Sequence, residues 1–437
     1  MVKFLHLADI HLGFDRYDSP ERTKDFFRAL YSALDLYALQ SAVDFVLIAG
    51  DLFEHRNIQP ATLNQAQICL QALQQSNIPV LAIEGNHDNR PYGTPTSWLK
   101  YLSEWGLLML LEPNQGTTEE HFLSPWDSQR RRGGYIDLEC GVRVIGSNWY
   151  GATAPRAIDR LAAAIADLPP GPSHSILMFH HGLEGQIARY AGALRYSDLL
   201  PLRQAGIDYL ALGHIHKHYT AEGWVFNPGS LEANNIEESQ YQRGAYLVEL
   251  GPNGIHAELQ SGHWQRPMLR LELVAKGQES PDQLAQMALD RVTQGQATLG
   301  ATDISPIIEL KIIGQVGFDR LELDTRQLQA QLQSVSGALL VLLKYEVEDG
   351  AYQTPLGDGQ SRLEIEQSIF SDMLAAHRDY KHQAPALAQG LSDLKERQLG
   401  GADEVQLYGL VETLLGLEPD QTGSGSRPSR NGKDISG

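Results

Sequence analysis

Cysteine is scarce in this chain, with only Cys69 and Cys140 among 437 residues. The two are far apart and no Cys-x-x-Cys pair occurs, so we predict neither a disulfide framework nor a cysteine metal site. Long apolar runs are also missing, which excludes a predicted membrane span. Asp9 and His11 interrupt the apolar stretch near the N-terminus, and we therefore expect no signal peptide and a cytoplasmic protein.

Basic residues are outnumbered, since 35 Lys and Arg stand against 54 Asp and Glu, a formal net charge of -19. This balance excludes a surface coated with phosphate-binding charge. If the protein handles nucleic acid, its contacts are expected to be local and to be assisted by metal ions. The candidate DNA contacts are Arg130, Arg131, Arg132, Arg195 and Lys217, the last followed by His218. For each of them a solvated loop is the alternative interpretation.

The length of the chain predicts more than one domain. Residues 1–275 predict an α/β domain, because short apolar strands alternate with helices and polar residues follow the strand ends. Segments 245–250, 256–259 and 268–273 are expected to be antiparallel strands that complete a second sheet. Residues 276–350 predict a small second α/β domain, residues 351–417 a helical region, and residues 418–437 a disordered tail rich in Gly and Ser.

The stretch Phe45 to Asp51, FVLIAGD, predicts a buried strand that delivers one carboxylate to the edge of a sheet. Other metal-capable side chains also follow predicted strands: Asp9, His11, Asn86, His87, His180, His214 and His216. A parallel sheet brings the ends of its strands together at one edge, so we expect these side chains to converge. Each motif alone is a weak signal, but the set predicts a metal site.

The residue types in this set also indicate the chemistry. Oxygen and imidazole ligands without thiolates favour divalent ions such as manganese, iron or zinc. Two such ions about 3.5 to 4 Å apart need a bridging carboxylate, and together they bind the nucleophile and the phosphoryl oxygens during in-line displacement. Water bound to such ions is acidified enough to supply hydroxide near neutral pH. The sequence therefore predicts a two-metal phosphoester hydrolase centred on Asp51.

Asp-x-His, Gly-Asp, Gly-Asn-His-Asp, a His after a strand and Gly-His-x-His together resemble the motifs of the calcineurin-like metallophosphoesterases. Residues 7–13 (LADIHLG), 50–53 (GDLF), 211–216 (ALGHIH) and 227–232 (NPGSLE) are more closely similar to the SbcD-like DNA double-strand-break repair nucleases. The resemblance covers roughly residues 1–258. It implies a two-sheet α/β sandwich flanked by helices, followed by a small α/β capping domain and a helical C-terminal region.

The resemblance also implies a role for each motif residue. The first metal ion would be held by Asp9, His11, Asp51 and His216, and the second by Asp51, Asn86, His180 and His214. His180 is favoured as the ligand over the adjacent His181, which would then be an outer-sphere residue. His87 would contact the scissile phosphate or protonate the departing 3′ oxygen. Asp88 would support the loop by hydrogen bonding.

Glu54 marks a departure from the family, because archaeal nucleases often carry a His there and phosphatase relatives an Asp. We expect its carboxylate to orient His87. The role of the neighbouring His55 stays open.

By resemblance, the protein is expected to be a manganese-dependent DNA exonuclease or endonuclease acting at DNA ends in double-strand-break repair. Its expected partners are DNA, an SMC-like ATPase of the SbcC type and a second copy of itself, with residues 363–417 as the docking element for the ATPase. One alternative is a phosphodiesterase or phosphatase of the same fold acting on nucleotides or phosphoproteins. Another is a non-enzymatic scaffold. The second domain and the complete ligand set favour the nuclease.

Overall fold

The computed structural model describes residues 1–114, 122–186, 192–252, 254–300, 303–349, 362–375 and 380–414. The strands are β1 Val2–Leu7, β2 Phe45–Ala49, β3 Val80–Ile83, β4 Met109–Leu110, β5 Tyr135–Leu138, β6 Val142–Ile145, β7 His174–His180, β8 Tyr209–Gly213, β9 Tyr219–Ala221, β10 Val225–Asn227, β11 Ala245–Gly251, β12 Gly254–Gln260, β13 Met268–Lys276, β14 Ile307–Val316 and β15 Leu340–Asp349. The α-helices are α1 Pro20–Leu34, α2 Pro60–Gln75, α3 Trp98–Glu104, α4 Ala154–Ala166, α5 Leu200–Gln204, α6 Pro281–Gln296, α7 Thr325–Ser336, α8 Arg362–Ala375, α9 Ala384–Leu399 and α10 Glu404–Leu414. The predicted tail at 418–437 lies outside the described residues.

Two six-stranded sheets form the first part of the fold. The first has the order β12-β11-β1-β2-β3-β4, and the second has the order β5-β6-β7-β8-β10-β9. Strands β1 to β4 run parallel, as do β6, β7, β8 and β10. The pairs β1-β11, β11-β12, β5-β6 and β9-β10 are antiparallel. All residues of β2 are buried, as a continuous apolar run predicts for a strand that is covered on both faces.

The two sheets pack face to face and are covered by helices on their outer faces. Phe4 and Phe45 of the first sheet share a buried core with Met178 and Tyr209 of the second. Buried residues of α1, α2 and α3 cover the first sheet, and buried residues of α4 and α5 cover the second. The predicted two-sheet α/β sandwich flanked by helices is therefore confirmed.

The predicted partners of the three late strands are wrong. Strands β11 and β12 extend the first sheet beside β1, and β13 pairs in a separate three-stranded sheet with the order β13-β14-β15. Alternating apolar residues show which face of a strand is buried, but they do not identify its neighbour. The pairing of Val2 with Leu250 joins distant parts of the chain, so no local pattern could predict it.

The chain divides into two compact units. One comprises Met1–Leu271, Arg291–Leu310 and Gln329–Leu343, and the other comprises Glu272–Asp290, Lys311–Leu328 and the described part of Lys344–Gly437. In the second unit, α9 packs against α8 and α10. The domain boundaries at 275, 350 and 417 stay predictions. None of the helices among the described residues has both the length and the apolar character that a bilayer span requires.

His6 of β1, in the first sheet, forms hydrogen bonds to β8 of the second sheet. Its Nδ1 lies 2.9 Å from the Tyr209 hydroxyl, and its Nε2 lies 3.0 Å from the Leu212 carbonyl oxygen. Since a carbonyl oxygen can only accept, Nε2 donates to Leu212 and Nδ1 accepts from Tyr209. Burial lowers the pKa of His6 to about 3, opposed by the Leu212 hydrogen bond. The folded protein therefore holds this ring neutral.

His6→Phe is expected to lower the free energy of unfolding near neutral pH by about 1–3 kcal/mol, because Tyr209 and Leu212 lose a buried partner. In the wild type, the unfolded chain binds a proton on His6 that the folded chain excludes, so stability falls as the pH drops from about 6.5 toward 3. His6→Phe has no titratable group at this position and therefore lacks this pH dependence of stability. Denaturant unfolding near pH 7.5 and near pH 5 measures both effects, with the exposed His256→Phe as the control. Equal pH slopes in His6→Phe and wild type would contradict this account.

Candidate metal centre

The ends of five strands meet at one edge of the sandwich. In the first sheet Leu7 pairs with Ile48 and Ala49 with Ile83, and in the second His180 pairs with Gly213. Residues that directly follow these strands therefore lie close together. The structure gathers there the residues predicted as ligands: Asp9, His11, Asp51, Asn86, His180, His214 and His216.

These side chains form two groups. Donor atoms of Asp9, His11 and His216 lie within 4.8 Å of one another, and so do those of Asp51, His180 and His214. The two groups are connected, since the main-chain N–H of His214 donates to both carboxylate oxygens of Asp9 at 2.9 and 3.0 Å.

Asn86 and Asp51 both lie with the second group. The Asn86 side-chain oxygen lies 3.2 Å from Nε2 of His180 and 2.8 Å from Nδ1 of His214, within the second group. Asp51 also belongs to the second group. Its sharing between two ions stays a prediction.

Glu54 lies between two histidines. Its carboxylate is 2.7 Å from Nδ1 of His11 and 3.8 Å from Nδ1 of His87. The same His87 nitrogen lies 2.8 Å from the main-chain oxygen of Glu54. The main chain of Glu54 thus holds His87, whereas its carboxylate lies nearest to His11. His55 instead contacts Asp15 at 3.3 Å.

Four of the gathered residues have a left-handed backbone, which is uncommon outside glycine. The φ angles are 52° at Asp9, 54° at His11, 54° at Asp51 and 89° at His214. Such angles persist where the surroundings enforce them, and they cluster at functional sites. Here the N–H of Asp9 donates to Gly50 at 3.2 Å, which fixes one of these turns.

Two glycines are required by the close approach of these side chains. A Cβ at Gly50 would overlap the imidazole of His180, and a Cβ at Gly85 would overlap the carboxylate of Asp51. Gly50 also has a φ of +94°. The glycines in Gly-Asp and Gly-Asn-His are therefore explained by the space that the neighbouring ligands occupy.

The second group has the donors that a cation needs. Nδ1 of His180 lies 2.7 Å from the carbonyl oxygen of Ala49, which can only accept, so Nδ1 carries the proton. In the neutral ring Nε2 is then an acceptor, yet it faces Asp51 Oδ2 at 3.2 Å and Asn86 Oδ1 at 3.2 Å. Acceptors that converge in this way are satisfied only when a proton or a metal ion lies between them.

The first group repeats this pattern. Nδ1 of His216 lies 3.1 Å from a carboxylate oxygen of Glu238, which leaves Nε2 as the acceptor in the neutral ring. This Nε2 lies 3.1 Å from Nε2 of His11. Two ring nitrogens at this distance would direct lone pairs at each other unless a proton or a metal ion lies between them.

A proton is the competitor for each cation position. Burial lowers the pKa of His180, but Asp51 outweighs burial and raises it to about 9. Burial also lowers the pKa of His216, and Glu238 raises it to about 9. Metal binding would therefore release protons at neutral pH. Nitrogen and oxygen donors without thiolates fit divalent ions.

Residues 2–218 match the family model of the calcineurin-like phosphoesterases. These residues belong to the calcineurin-like phosphoesterase superfamily. Its members are metal-dependent hydrolases of phosphate esters, which agrees with the donor groups described above. The predicted superfamily is therefore confirmed for residues 2–218.

Archaeal relatives of this phosphoesterase carry the name DNA double-strand break repair protein Mre11. The protein of Archaeoglobus fulgidus is 31% identical over 250 residues, which cover 54% of this chain and 52% of the relative. That of Saccharolobus solfataricus is 30% identical over 260 residues, covering 57% and 60%. The alignment with the Aeropyrum pernix protein, at 26% identity, covers 95% of this chain and 96% of the relative. The chain thus spans about half to three fifths of the length of the first two relatives.

Asp88 of the phosphoesterase domain is buried behind the ligand loop. Its carboxylate accepts hydrogen bonds from the main-chain N–H groups of Leu52 and Gly85, both at 2.7 Å. Burial, followed by the charge of Asp51, raises the pKa of Asp88 to about 8. The carboxylate connects the Gly-Asp turn to the Gly-Asn-His turn, which is the arrangement expected of a loop-supporting residue.

Glu238 and Trp149 were not predicted from the sequence. Glu238 contacts His216, and its other carboxylate oxygen accepts from the N–H of Asn234 at 2.9 Å. The ring of Trp149 lies against three imidazoles, with centroid distances of 5.7, 5.8 and 5.2 Å to His180, His181 and His214. Both residues follow the ends of strands outside the recognised motifs, and only that position could have indicated them.

Glu238→Gln is expected to weaken metal binding at the first group by about 10- to 100-fold, because the carboxylate fixes the tautomer and orientation of His216. A glutamine amide can donate to Nδ1 and so favour the wrong tautomer. Titration calorimetry with Mn²⁺ measures the loss. Glu237→Gln, on the adjacent exposed residue, is the matched control. Equal affinities in the two variants would remove this role of Glu238.

The predicted DNA-contact arginines at 130–132 lie in a turn and not at the metal ligands. Arg130 pairs with Asp127 at 3.7 Å, and Arg131 donates to the Ser103 carbonyl at 3.4 Å. Arg130 and Arg132 line a separate cavity with Tyr135. DNA contact by these residues stays a prediction.

Arg195 and Lys217 also have local surroundings. Arg195 pairs with Asp198 at 3.1 Å, and Lys217 lines a small cavity beside His218. Two other arginines, Arg56 and Arg90, line a cavity next to the ligands. They follow the Gly-Asp and Gly-Asn-His-Asp motifs within a few residues, and this proximity was the signal available in the sequence.

Proposed function

We propose that this phosphoesterase is a two-metal DNA nuclease that hydrolyses phosphodiester bonds at DNA ends in double-strand-break repair, with manganese as the metal. The observation that carries the proposal is the convergence of nitrogen and oxygen donors in two adjacent groups, each of which could hold a metal ion. The names of the archaeal relatives support DNA as the substrate. Exonuclease and endonuclease activity both belong to the proposal.

The ligand residues hold the metal ions and position the substrate. Asp9, His11 and His216 are assigned to one ion, and Asn86, His180 and His214 to the other, with Asp51 as the shared ligand. Bound ions supply charge for the phosphoryl oxygens and acidify the attacking water. Glu54 and Glu238 keep the imidazoles of His11 and His216 oriented.

His87 is assigned as the acid. Its Nδ1–H donates to the main-chain oxygen of Glu54, so Nε2 is the nitrogen that takes up a second proton, and the resulting imidazolium gives that proton to the leaving 3′ oxygen and returns to the neutral ring. The side chain is 38% exposed, so substrate can reach it. Its ring stands edge-on to His11 at a centroid distance of 4.9 Å, which places it beside the first group.

The test is a digestion assay on end-labelled linear duplex DNA, single-stranded DNA and a chromogenic phosphodiester. Each substrate is incubated with Mn²⁺, with Mg²⁺ and with a chelator. Manganese-dependent shortening or internal cleavage of DNA supports the nuclease, and the product lengths distinguish exonuclease from endonuclease activity. Hydrolysis of the small diester without DNA cleavage would instead favour the nucleotide phosphodiesterase. No turnover of any substrate with metal bound would favour the scaffold.

The helices α8 to α10 are proposed to dock an SMC-like ATPase. Their support is exposed apolar area: Met373 is 65% exposed, Val405 81% and Tyr408 68%. Amphipathic helices with such residues can pack on a partner helix. A pull-down with the full chain should recover the ATPase, and a chain ending near residue 358 or carrying Val405→Glu with Tyr408→Glu should not. Equal recovery would contradict the proposal.

Self-association is proposed as a further part of the assembly. Light scattering coupled to size-exclusion chromatography measures the mass of the particle, and a mass of one chain at all concentrations would exclude the homodimer.

A further inference from the structure

A cavity of about 600 Å³ opens beside the second ligand group. Its wall includes the segment after Gly-Asn-His-Asp and the segment after β6, and it is lined by Arg56, Glu84, Arg90, Tyr92, Asn148 and Trp149, among others. Ligand pockets commonly have volumes of roughly 300–1,000 Å³. The cavity is therefore large enough for an organic group and not only for water.

Two contacts connect this cavity to the metal ligands. The indole of Trp149 lies against the rings of His180 and His214. On the other side, the guanidinium of Arg56 donates to the main-chain oxygen of Asn86 at 3.3 Å. A molecule bound in the cavity would consequently be separated from the second ligand group only by the side chains of Trp149 and Arg56.

The side chains around the cavity match the chemistry of a nucleotide. Tyr92 is 102% exposed, so its ring has no packing role in the fold. Arg56 and Arg90 are exposed, and neither has an ion-pair partner among the described residues. Aromatic rings bind bases by stacking, whatever the sequence, and guanidinium groups bind the adjoining phosphates.

Glu84 restricts which part of a nucleotide can enter. Glu84 lines the cavity together with Arg90. A carboxyl group in the wall repels a phosphate but can accept a hydrogen bond from an amino group on a base. The base therefore belongs inside the cavity and the phosphate at its arginine rim.

We propose that this cavity receives an unpaired base from the nucleotide next to the scissile phosphate, stacked on Tyr92 or Trp149, with its phosphate held by Arg56 and Arg90. The proposal rests on the proposed nuclease function and adds a requirement to it. A base can enter the cavity only after it has left its pair. Ends that carry a terminal mismatch should consequently be cleaved faster than fully paired ends.

Tyr92→Ala tests the cavity, with Tyr92→Phe as the variant that keeps the ring. The ratio of kcat/KM on duplex ends to kcat/KM on a chromogenic diester should fall by about 5- to 150-fold in Tyr92→Ala and recover in Tyr92→Phe, since the small diester has no base to stack. Tyr31→Ala, on a tyrosine that is 50% exposed elsewhere, is the control. Trp149→Ala should lower the same ratio. The metal content of this variant is measured as well, because Trp149 contacts His180 and His214.

An equilibrium measurement separates this proposal from the nuclease assignment. A strand with terminal 2-aminopurine should be quenched on binding to the wild type, and this quenching should be lost in Tyr92→Ala. An unchanged cleavage ratio in Tyr92→Ala and Trp149→Ala, equal rates on paired and mismatched ends, or no quenching by the wild type would overturn the base cavity. Diester hydrolysis without any DNA cleavage would overturn the nuclease function instead, and quenching would then decide the cavity alone.

Discussion

Asp51→Ala is expected to lose both metal ions and to lower phosphodiester hydrolysis by about 10³-fold or more. Asp51 is buried beside His180, and its Oδ2 lies 3.2 Å from Nε2 of that ring. Bound ions contribute several kcal/mol of transition-state stabilisation, and each 1.4 kcal/mol corresponds to about tenfold in rate. Without this carboxylate, the second group keeps no anionic ligand and the first group keeps only Asp9 to offset the charge of the ion.

Metal content by elemental analysis and turnover on the chromogenic diester measure the two effects of Asp51→Ala. Asp15→Ala, at an exposed carboxylate that contacts His55, is the control for loss of negative charge. Melting curves of both variants in chelator test whether the fold is retained. Two ions retained per chain in Asp51→Ala would remove the proposed bridging role.

His87→Ala is expected to lower kcat by about 10²- to 10⁴-fold while metal content and DNA binding stay close to those of the wild type. The main chain and the side chain of His87 have separate functions. Its main-chain N–H donates to Oδ1 of Asp51 at 2.9 Å, and alanine keeps that hydrogen bond. Only the imidazole that holds the proton is deleted.

His55→Ala is the matched control for this loss, because His55 is a nearby histidine that is 49% exposed and contacts Asp15. Single-turnover rates with bound metal isolate the chemical step from product release. A rate in His87→Ala equal to that of the wild type would exclude the acid role, and a loss of bound metal would identify His87 as a ligand.

The positions of the ligands could be predicted from the sequence because they depend on local signals. An apolar run such as 45–49 predicts a buried strand, and the polar residue that follows it marks the edge of the sheet. The parallel order of β1, β2 and β3 then gathers the ends. The family resemblance added the division of these residues into two groups.

Contacts that depend on long-range packing could not be predicted. Glu238 reaches His216 because of where the chain returns after β10, and no periodicity in the sequence encodes that path. The carboxylate of Glu54 lies nearest to His11 rather than His87 because of its side-chain orientation. The prediction that β11 belongs to the second sheet is wrong for the same reason, since the pairing of strands distant in sequence depends on the packing of the whole sandwich.

The left-handed backbone at Asp9, His11, Asp51 and His214 sets a limit on engineering this protein for heat resistance. The steric penalty of that conformation is about 1–2 kcal/mol per residue. Glycine avoids this penalty at an entropic cost of about 0.5–1 kcal/mol. Glycine at any of these four positions would relieve the strain, and the same substitution would delete a ligand. Thermostable variants have to be selected for turnover at the same time.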